Sequence, residues 1–175
     1  MKKIFLFLPI LVILIISTFL LIYLLQNKEP NKPPSALLNE NLPEFTIVNL
    51  LDKNEIFNIQ NIEKKFVLIN FFASWCAPCK VEHPLFFEIK KQHPNLYLIG
   101  INHKDKKNDA IKYLNSDGNP YDFIGVDGDG FIGLEFGVFG LPETFLVNSS
   151  GIVINKFLGP LTKKIINDEI KPYIK

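Results

Sequence analysis

The sequence predicts an α/β domain, a central mixed sheet with helices on both faces. Three observations predict it. Strand-like and helix-like stretches alternate along most of the chain, the pattern that stacks helices on a sheet. One strand candidate, FVLINFFA at residues 66–73, is a nearly continuous apolar run rich in β-formers, as a strand buried on both faces requires. Near the end, ETFLVNSSGIVINKFLG reads as a hairpin turning at Asn148–Gly151.

The elements follow in order. Residues 1–26 are a membrane anchor: Lys2 and Lys3 precede an uncharged stretch from Ile4 to Leu25. A helix of that length rises about 33 Å, enough for a hydrocarbon core of about 30 Å. The apolar region is too long for a cleaved leader, and the bulky LIYLLQNKEP offers no small-residue cleavage site, so it reads as a signal-anchor. Pro9 would at most kink it. The placement of Lys2 and Lys3 favours a cytoplasmic N-terminus. Residues 27–36, with Pro30, Pro33 and Pro34, form a semi-stiff linker, and residues 37–175 form the folded domain.

Within the domain, EFTIVNL and EIFNI are short leading strands. Residues 77–92 turn helical, with Val81, Leu85 and Ile89 every four residues; Pro78 suits the first turn and Pro84 predicts a kink. NLYLIGIN (95–102) is a central strand, KKNDAIKYLNSDG a helix ended by Gly118, and YDFIGV a short strand. LTKKIINDEIKPYIK closes the chain as a helix burying Ile166, Ile170 and Ile174.

Composition excludes several functions. The net charge is +1 and the pI about 7.7, which gives no electrostatic footprint for nucleic acid. All 19 basic residues are lysines, so no guanidinium clamp for phosphate exists. Two cysteines are too few for a disulfide-rich secreted scaffold.

Those two, Cys76 and Cys79, lie together in FFASWCAPCK. A redox centre, half a metal site and a structural staple compete. Zinc needs four ligands, and His83, His93 and His103 lack the spacing of a second pair. A covalent haem site would carry His where Lys80 stands. A staple closing so short a loop removes little chain entropy. The redox reading fits the map: Cys76 falls at the start of a helix, where the macrodipole favours a thiolate, and Cys79 lies one turn on, facing it and more buried. The outer sulfur attacks a disulfide and the inner one releases the product. Lowering a thiol pKa from about 8.5 to about 7 raises the thiolate fraction about sixteen-fold, but falling nucleophilicity leaves only about a three-fold gain in rate. Selectivity must come from the surroundings. DGDGFIGLEF fails as a calcium loop, since Phe131, Ile132 and Val138 occupy the diagnostic positions counted from Asp127. It reads as a turn and short helix. His83 reads as a helix-surface or capping residue.

Trp75-Cys76-Ala77-Pro78-Cys79-Lys80 after a buried strand resembles the thioredoxin superfamily. GVFGLPETFLVN, EHPLF, IGINHKDKKNDAIKYL, GNPY and DGDGFIGLEFGV, in order and at matching spacing, resemble the membrane-anchored periplasmic thiol:disulfide interchange proteins of the DsbE/CcmG type, which serve cytochrome c maturation. The resemblance implies a thioredoxin-like fold for residues 37–175 and a redox-active Cys76–Cys79 disulfide, Cys76 attacking and Cys79 resolving, with no cofactor or metal. Pro142 resembles the family's cis-proline, leaving the backbone of Leu141 free to pair with a substrate strand. Glu82 and Glu143 resemble acidic groups close to the dithiol, against the plainer reading of a solvated helix face for Glu82. Asn70 stands where ordinary thioredoxins carry a buried Asp, so proton transfer falls to Glu82 or Glu143.

The implied function is a periplasmic reductant on the bacterial inner membrane, single-pass with its C-terminal domain in the periplasm. It would keep the haem-site cysteines of apocytochrome c, or a thiol-bearing assembly partner, reduced, drawing electrons from a transmembrane thiol relay of the DsbD/CcdA type. A general periplasmic oxidant or isomerase is the nearest alternative. A non-catalytic docking module for cytochrome assembly is the alternative of a different class.

Overall fold

The computed structural model describes residues 4–25, 36–58 and 65–174. Lys2, Lys3 and all of the expected linker except Ala36 lie outside the described residues. The chain divides into two units, residues 1–33 and 34–175.

The first unit contains one helix, α1 (Ile4–Leu25), of 22 uncharged residues with Pro9 inside it. Thr18 Oγ1, one of its few polar groups, donates to the Leu14 carbonyl at 2.7 Å. Side chains are described without a break over residues 7–23, and among the described residues no helix is long and apolar enough to cross a membrane. The expected helix is therefore present, but a bilayer span is not established by it.

The second unit is built on a five-stranded mixed sheet. Its strands are β3 (Val67–Phe72), β4 (Tyr97–His103), β5 (Phe123–Asp127), β6 (Glu143–Val147) and β7 (Val153–Leu158). They lie in the order β5-β4-β3-β6-β7. The first three run parallel, and β6 and β7 join antiparallel. A two-stranded antiparallel sheet, β1 (Thr46–Val48) and β2 (Ile56–Asn58), precedes them. It meets the β5 edge through the Asn49–Gly125 bridge and the Leu50 N–H bond to the Ile124 carbonyl at 2.8 Å. The close approach requires glycine, since a Cβ at Gly125 would run into Ile47.

β3 explains the layering. Its side chains alternate between two faces. Leu68 and Phe72 enter one core, with Phe86 and Ile89 of α2 (Ala77–Gln92), Ala110 and Leu114 of α3 (Lys107–Asp117), and Ile166 and Ile170 of the closing segment. Val67, Ile69 and Phe71 enter the other, with Ile47 of β1, Phe136, and Ile132 of the short helix α4 (Phe131–Glu135). A strand covered on both faces must be apolar throughout, and β3 breaks the rule only at Asn70.

Pro84 lies inside α2, as expected. One helical expectation needs adjustment. The closing segment is α-helical only over α5 (Lys163–Ile165), then continues as a π-helix over Ile166–Ile170, closed by the Lys171 N–H bond to the Ile166 carbonyl at 2.9 Å. Ile166, Ile170 and Ile174 are buried as expected.

The second core is aromatic at its centre. The fully buried Phe71 ring lies 5.2 Å from that of Phe136 and 5.8 Å from that of Phe145. Phe71→Ala is expected to cost about 3–5 kcal/mol. Urea unfolding of the full chain in detergent, followed by circular dichroism, measures it. A loss below about 1 kcal/mol would show that this core does not hold the sheet.

Candidate active site

β3 ends at Phe72, and after four residues the chain enters α2 at Ala77. Cys76 is the N-cap, with extended backbone, and its Sγ accepts the Cys79 N–H at 3.2 Å. Pro78 falls in the first turn, where its missing N–H costs nothing. The two sulfurs form a disulfide with Cα atoms 5.3 Å apart. The expected contrast between an outer and an inner sulfur is absent in this oxidised state: Cys76 is 3 % exposed and Cys79 2 %. Trp75, by contrast, is 63 % exposed.

The turn carrying the pair is pinned from the β4–α3 loop. Asp105 accepts the Ser74 N–H at 2.6 Å and the Ser74 hydroxyl at 2.9 Å, and also Asn102 Nδ2 and the Lys106 N–H. Trp75 Nε1 donates to the Lys104 carbonyl at 3.2 Å. Asp105 was not among the expected site residues. Its only signal in the sequence is a carboxylate just before a helix, which reads as an ordinary cap.

Beneath the disulfide lies a polar network. Glu82, three residues after Cys79 and so on the same face of α2, is buried rather than solvated. Its Oε1 accepts Asn70 Nδ2 at 2.9 Å and its Oε2 accepts the Leu161 N–H at 2.6 Å. Asn70 Nδ2 also donates to Thr144 Oγ1 at 3.0 Å, and Asn70 Oδ1 accepts the Tyr121 hydroxyl at 2.8 Å. Burial pushes the Glu82 carboxyl up to about 7, against the lowering pull of the Leu161 N–H and the Asn70 amide. Burial likewise lifts the Tyr121 phenol well above its ordinary value, and the Glu82 charge adds to it. Tyr121 and Thr144 were not expected in the site. Both lie far from Cys76 in the chain, and only the sheet brings them in.

His83 is buried, not a surface residue. Its Nε2–H donates to the Gly118 carbonyl at 2.9 Å, at the end of α3. Burial lowers its pKa, opposed by that bond and the Asp117 charge.

The Leu141–Pro142 bond is cis. Leu141 packs against the core that holds Cys76 and Cys79. Among the described residues its backbone N–H and C=O have no hydrogen-bond partner, whereas the Pro142 carbonyl accepts the Gly159 N–H at 2.9 Å. Glu143 is directed elsewhere than Glu82. It pairs with Phe71 across β3–β6 and so points to the face away from α2, while Thr144 pairs with Asn70. Glu143 Oε1 accepts the N–H groups of Phe139 and Gly140 at 2.8 and 3.1 Å. Oε2 lies 2.9 Å from Lys156 Nζ, an ion pair rather than a well-directed hydrogen bond. Lys156 in turn donates to the Gly137 carbonyl at 2.7 Å. Glu143 thus clamps the loop leading into Pro142. Among the described residues, no group of three His, Cys, Asp or Glu could hold a metal ion.

A disulfide-forming cysteine pair at a helix start, on a thioredoxin-like sheet that also carries a cis-proline loop, defines a thiol-disulfide oxidoreductase. Residues 37–171 match the Redoxin family. The chain is 35% identical over 176 residues to the thiol:disulfide interchange protein DsbE of Escherichia coli K12, covering 98% of this chain and 94% of that one. It is 36% identical to DsbE of Pseudomonas aeruginosa, covering 98% and 93%. The chain belongs to the DsbE/CcmG-type thiol:disulfide interchange proteins of the thioredoxin superfamily. Among solved structures, a secreted thiol-disulfide isomerase from Corynebacterium glutamicum shares the fold, with TM-score 0.71 and 21% identity over 83% of this chain and 95% of that one. The thioredoxin domain of a thiol-disulfide oxidoreductase from Bacteroides vulgatus does so too, with TM-score 0.70 and 18% identity over 81% and 100%.

The raised Glu82 pKa has a consequence for stability. A carboxyl near 7 when folded and near 4.5 when unfolded binds more protons in the native state between those values. Its favourable contribution is complete below about 4.5 and is lost as pH rises through about 7. Wild type should therefore lose roughly 3 kcal/mol relative to Glu82→Gln across that window. Urea titrations of both proteins at pH 4.5 and 8 measure this. Parallel pH dependence would show that Glu82 ionises as freely when folded as when unfolded.

Proposed function

We propose that this oxidoreductase is a membrane-tethered periplasmic reductant that keeps cytochrome c maturation thiols reduced. Its substrate is the disulfide of a Cys-x-x-Cys-His haem site in apocytochrome c, or the disulfide of an assembly partner with such a pair. The observation that carries the reading is the buried Cys76–Cys79 pair in a core against which Leu141 packs, its backbone without a hydrogen-bond partner among the described residues, in a chain of DsbE type. Leu141 offers an N–H and a C=O to one extended substrate strand, at the core that holds the sulfurs.

The exchange runs in two steps. The reduced Cys76 thiolate attacks one sulfur of the substrate disulfide, and that disulfide breaks, leaving a mixed disulfide and one substrate thiolate. Cys79 then attacks Cys76 Sγ as its thiol proton passes to Glu82, the second substrate thiolate leaves, and the internal disulfide forms. Two electrons pass to the substrate, and its thiolates take up the protons. Asn70, Thr144 and the Leu161 N–H hold the acceptor in place. Trp75 and Pro78 shape the approach to Cys76, and Glu143 holds the loop that presents Leu141 and Pro142.

A haem-attachment reductant has a reason to exist in the periplasm, where thiols are otherwise oxidised. Electrons would come through a transmembrane thiol relay of the DsbD/CcdA type. Residues 1–26 supply the tether, a single pass through the bacterial inner membrane. What supports this is the uncharged 22-residue helix α1, which rises about 33 Å. Residues 27–36 are the spacer and 37–175 the periplasmic domain.

Cys79→Ser is expected to accumulate a mixed disulfide through Cys76 with an apocytochrome c or an assembly thiol protein, identified by mass spectrometry. The reduction potential should lie near about −270 mV, as a reductant requires; a value near about −120 mV would make the protein an oxidant. In cell fractionation, the full chain should resist alkaline carbonate extraction from the inner membrane. Release into the supernatant would remove the tether from the reading.

A further inference from the structure

Among the described residues, the Tyr121 hydroxyl has a single partner, Asn70 Oδ1. The ring that carries it is fixed. It stacks on Phe72 at 5.1 Å and lies 5.8 Å from the Phe86 ring. Its main-chain N–H is tied to Asn119 Oδ1 at 2.9 Å. β4 gives way to it: a Cβ at Gly100 would come within 2.9 Å of Tyr121 Cγ. The hydroxyl therefore occupies one place in the core.

An amide has one accepting end and one donating end. With Asn70 Oδ1 engaged by Tyr121, Nδ2 faces Glu82 Oε1 at 2.9 Å and Thr144 Oγ1 at 3.0 Å. Turned by half a rotation, the amide would set its oxygen against the carboxylate. Thr144 does not decide between the two, because a hydroxyl donates or accepts equally well. Tyr121 does decide, and its O–H, the amide and the carboxylate form one chain polarised in the same direction.

We propose that Tyr121 and Asn70 are positioning residues for Glu82: Tyr121 holds the Asn70 amide with its donor end on the carboxylate, keeping Glu82 an ionised acceptor beside Cys79. This rests on the proton-accepting role given to Glu82 above. The other groups around Glu82 do not do this work. Cys79 and His83 flank it on α2, and His83 is bonded to Gly118. Tyr113 of α3 also faces it, but its buried hydroxyl has no partner among the described residues. The Leu161 N–H is main chain and independent of Tyr121.

The test is a carboxyl NMR titration of the oxidised full-length chain in detergent, labelled with ¹³C at glutamate, with Glu82→Gln to assign the signal. Tyr121→Phe keeps the ring and removes the O–H. The Glu82 midpoint is expected to rise by about half a pH unit or more, about a threefold fall in the ratio of ionised to protonated form at a given pH. The Glu82-dependent limb of the exchange rate, measured with a synthetic oxidised Cys-Ala-Ala-Cys-His peptide, should move with it. Tyr113→Phe removes an unbonded hydroxyl and should not raise the midpoint. Asn70→Leu removes the donor itself and should raise it further; it decides the matter in the same way if Tyr121→Phe does not fold. An unchanged midpoint in folded Tyr121→Phe, or an equal rise in Tyr113→Phe, overturns the proposal while leaving exchange intact. A wild-type chain that cannot reduce the peptide overturns the functional reading instead, whatever the titration shows.

Discussion

A carboxyl group buried at the centre of the fold constrains everything near it. Glu82 enters the core on α2, where Leu68, Phe72 and Phe86 would otherwise leave a wholly apolar layer. An unsatisfied buried carboxylate costs several kcal/mol, so donors must be brought to it from elsewhere in the chain. They come from two directions: Asn70 from β3 and the Leu161 main chain from beyond β7. Asn70 then needs partners of its own in a strand buried on both faces, and Thr144 and Tyr121 supply them. One ionisable residue thus dictates the polar break in β3 and the residue opposite it in β6. It also accounts for the residue whose ring is accommodated over Gly100.

The sheet divides the chemistry between its faces. The α2 face carries the sulfurs, Glu82 and the network that holds Glu82, the groups to which proton handling is assigned in the proposed function. The opposite face carries Glu143 and Lys156, which grip the loop from Gly137 to Gly140 and so place Leu141 and Pro142. Lys156 is itself buried against the rings of Phe139 and Phe145, at 5.0 and 5.2 Å, which compensates part of the loss of water around the ammonium. The period of two along β6 makes this division unavoidable. Adjacent residues in a strand cannot serve the same face, so Glu143 and Thr144 have different tasks.

Much of this was legible in the sequence, because it is local. β3 showed as an apolar run, α2 as a four-residue period after Cys76, and the final hairpin as two strands around Asn148–Gly151. Cys76 and Cys79 declared themselves by spacing. What depends on register or on long-range packing did not show. Tyr121 and Asn70 are 51 residues apart, and no periodicity links them. Asp105 did not show, since its bond to Ser74 spans 31 residues. Glu143 was grouped with Glu82 because it follows Pro142, but the pleat turns its side chain to the other face. The π-helix at Ile166–Ile170 still buries the isoleucines that the helical period selected, so the pattern gave the burial without the winding.

The exposure pattern bears on how a partner is chosen. In the oxidised state both sulfurs are covered, while Trp75 and Phe139 stand in solvent, Phe139 at 74 % exposure. A lowered thiol pKa adds only about threefold to the rate, too little to discriminate among disulfides. Discrimination therefore has to come from groups a partner meets before it reaches Cys76. Those groups are held by carboxylates: Phe139 by its N–H to the buried Glu143, and Trp75 through a turn anchored on the half-buried Asp105. The groups proposed for recognition and for proton transfer rest on separate networks. A change in either should alter one property and spare the other.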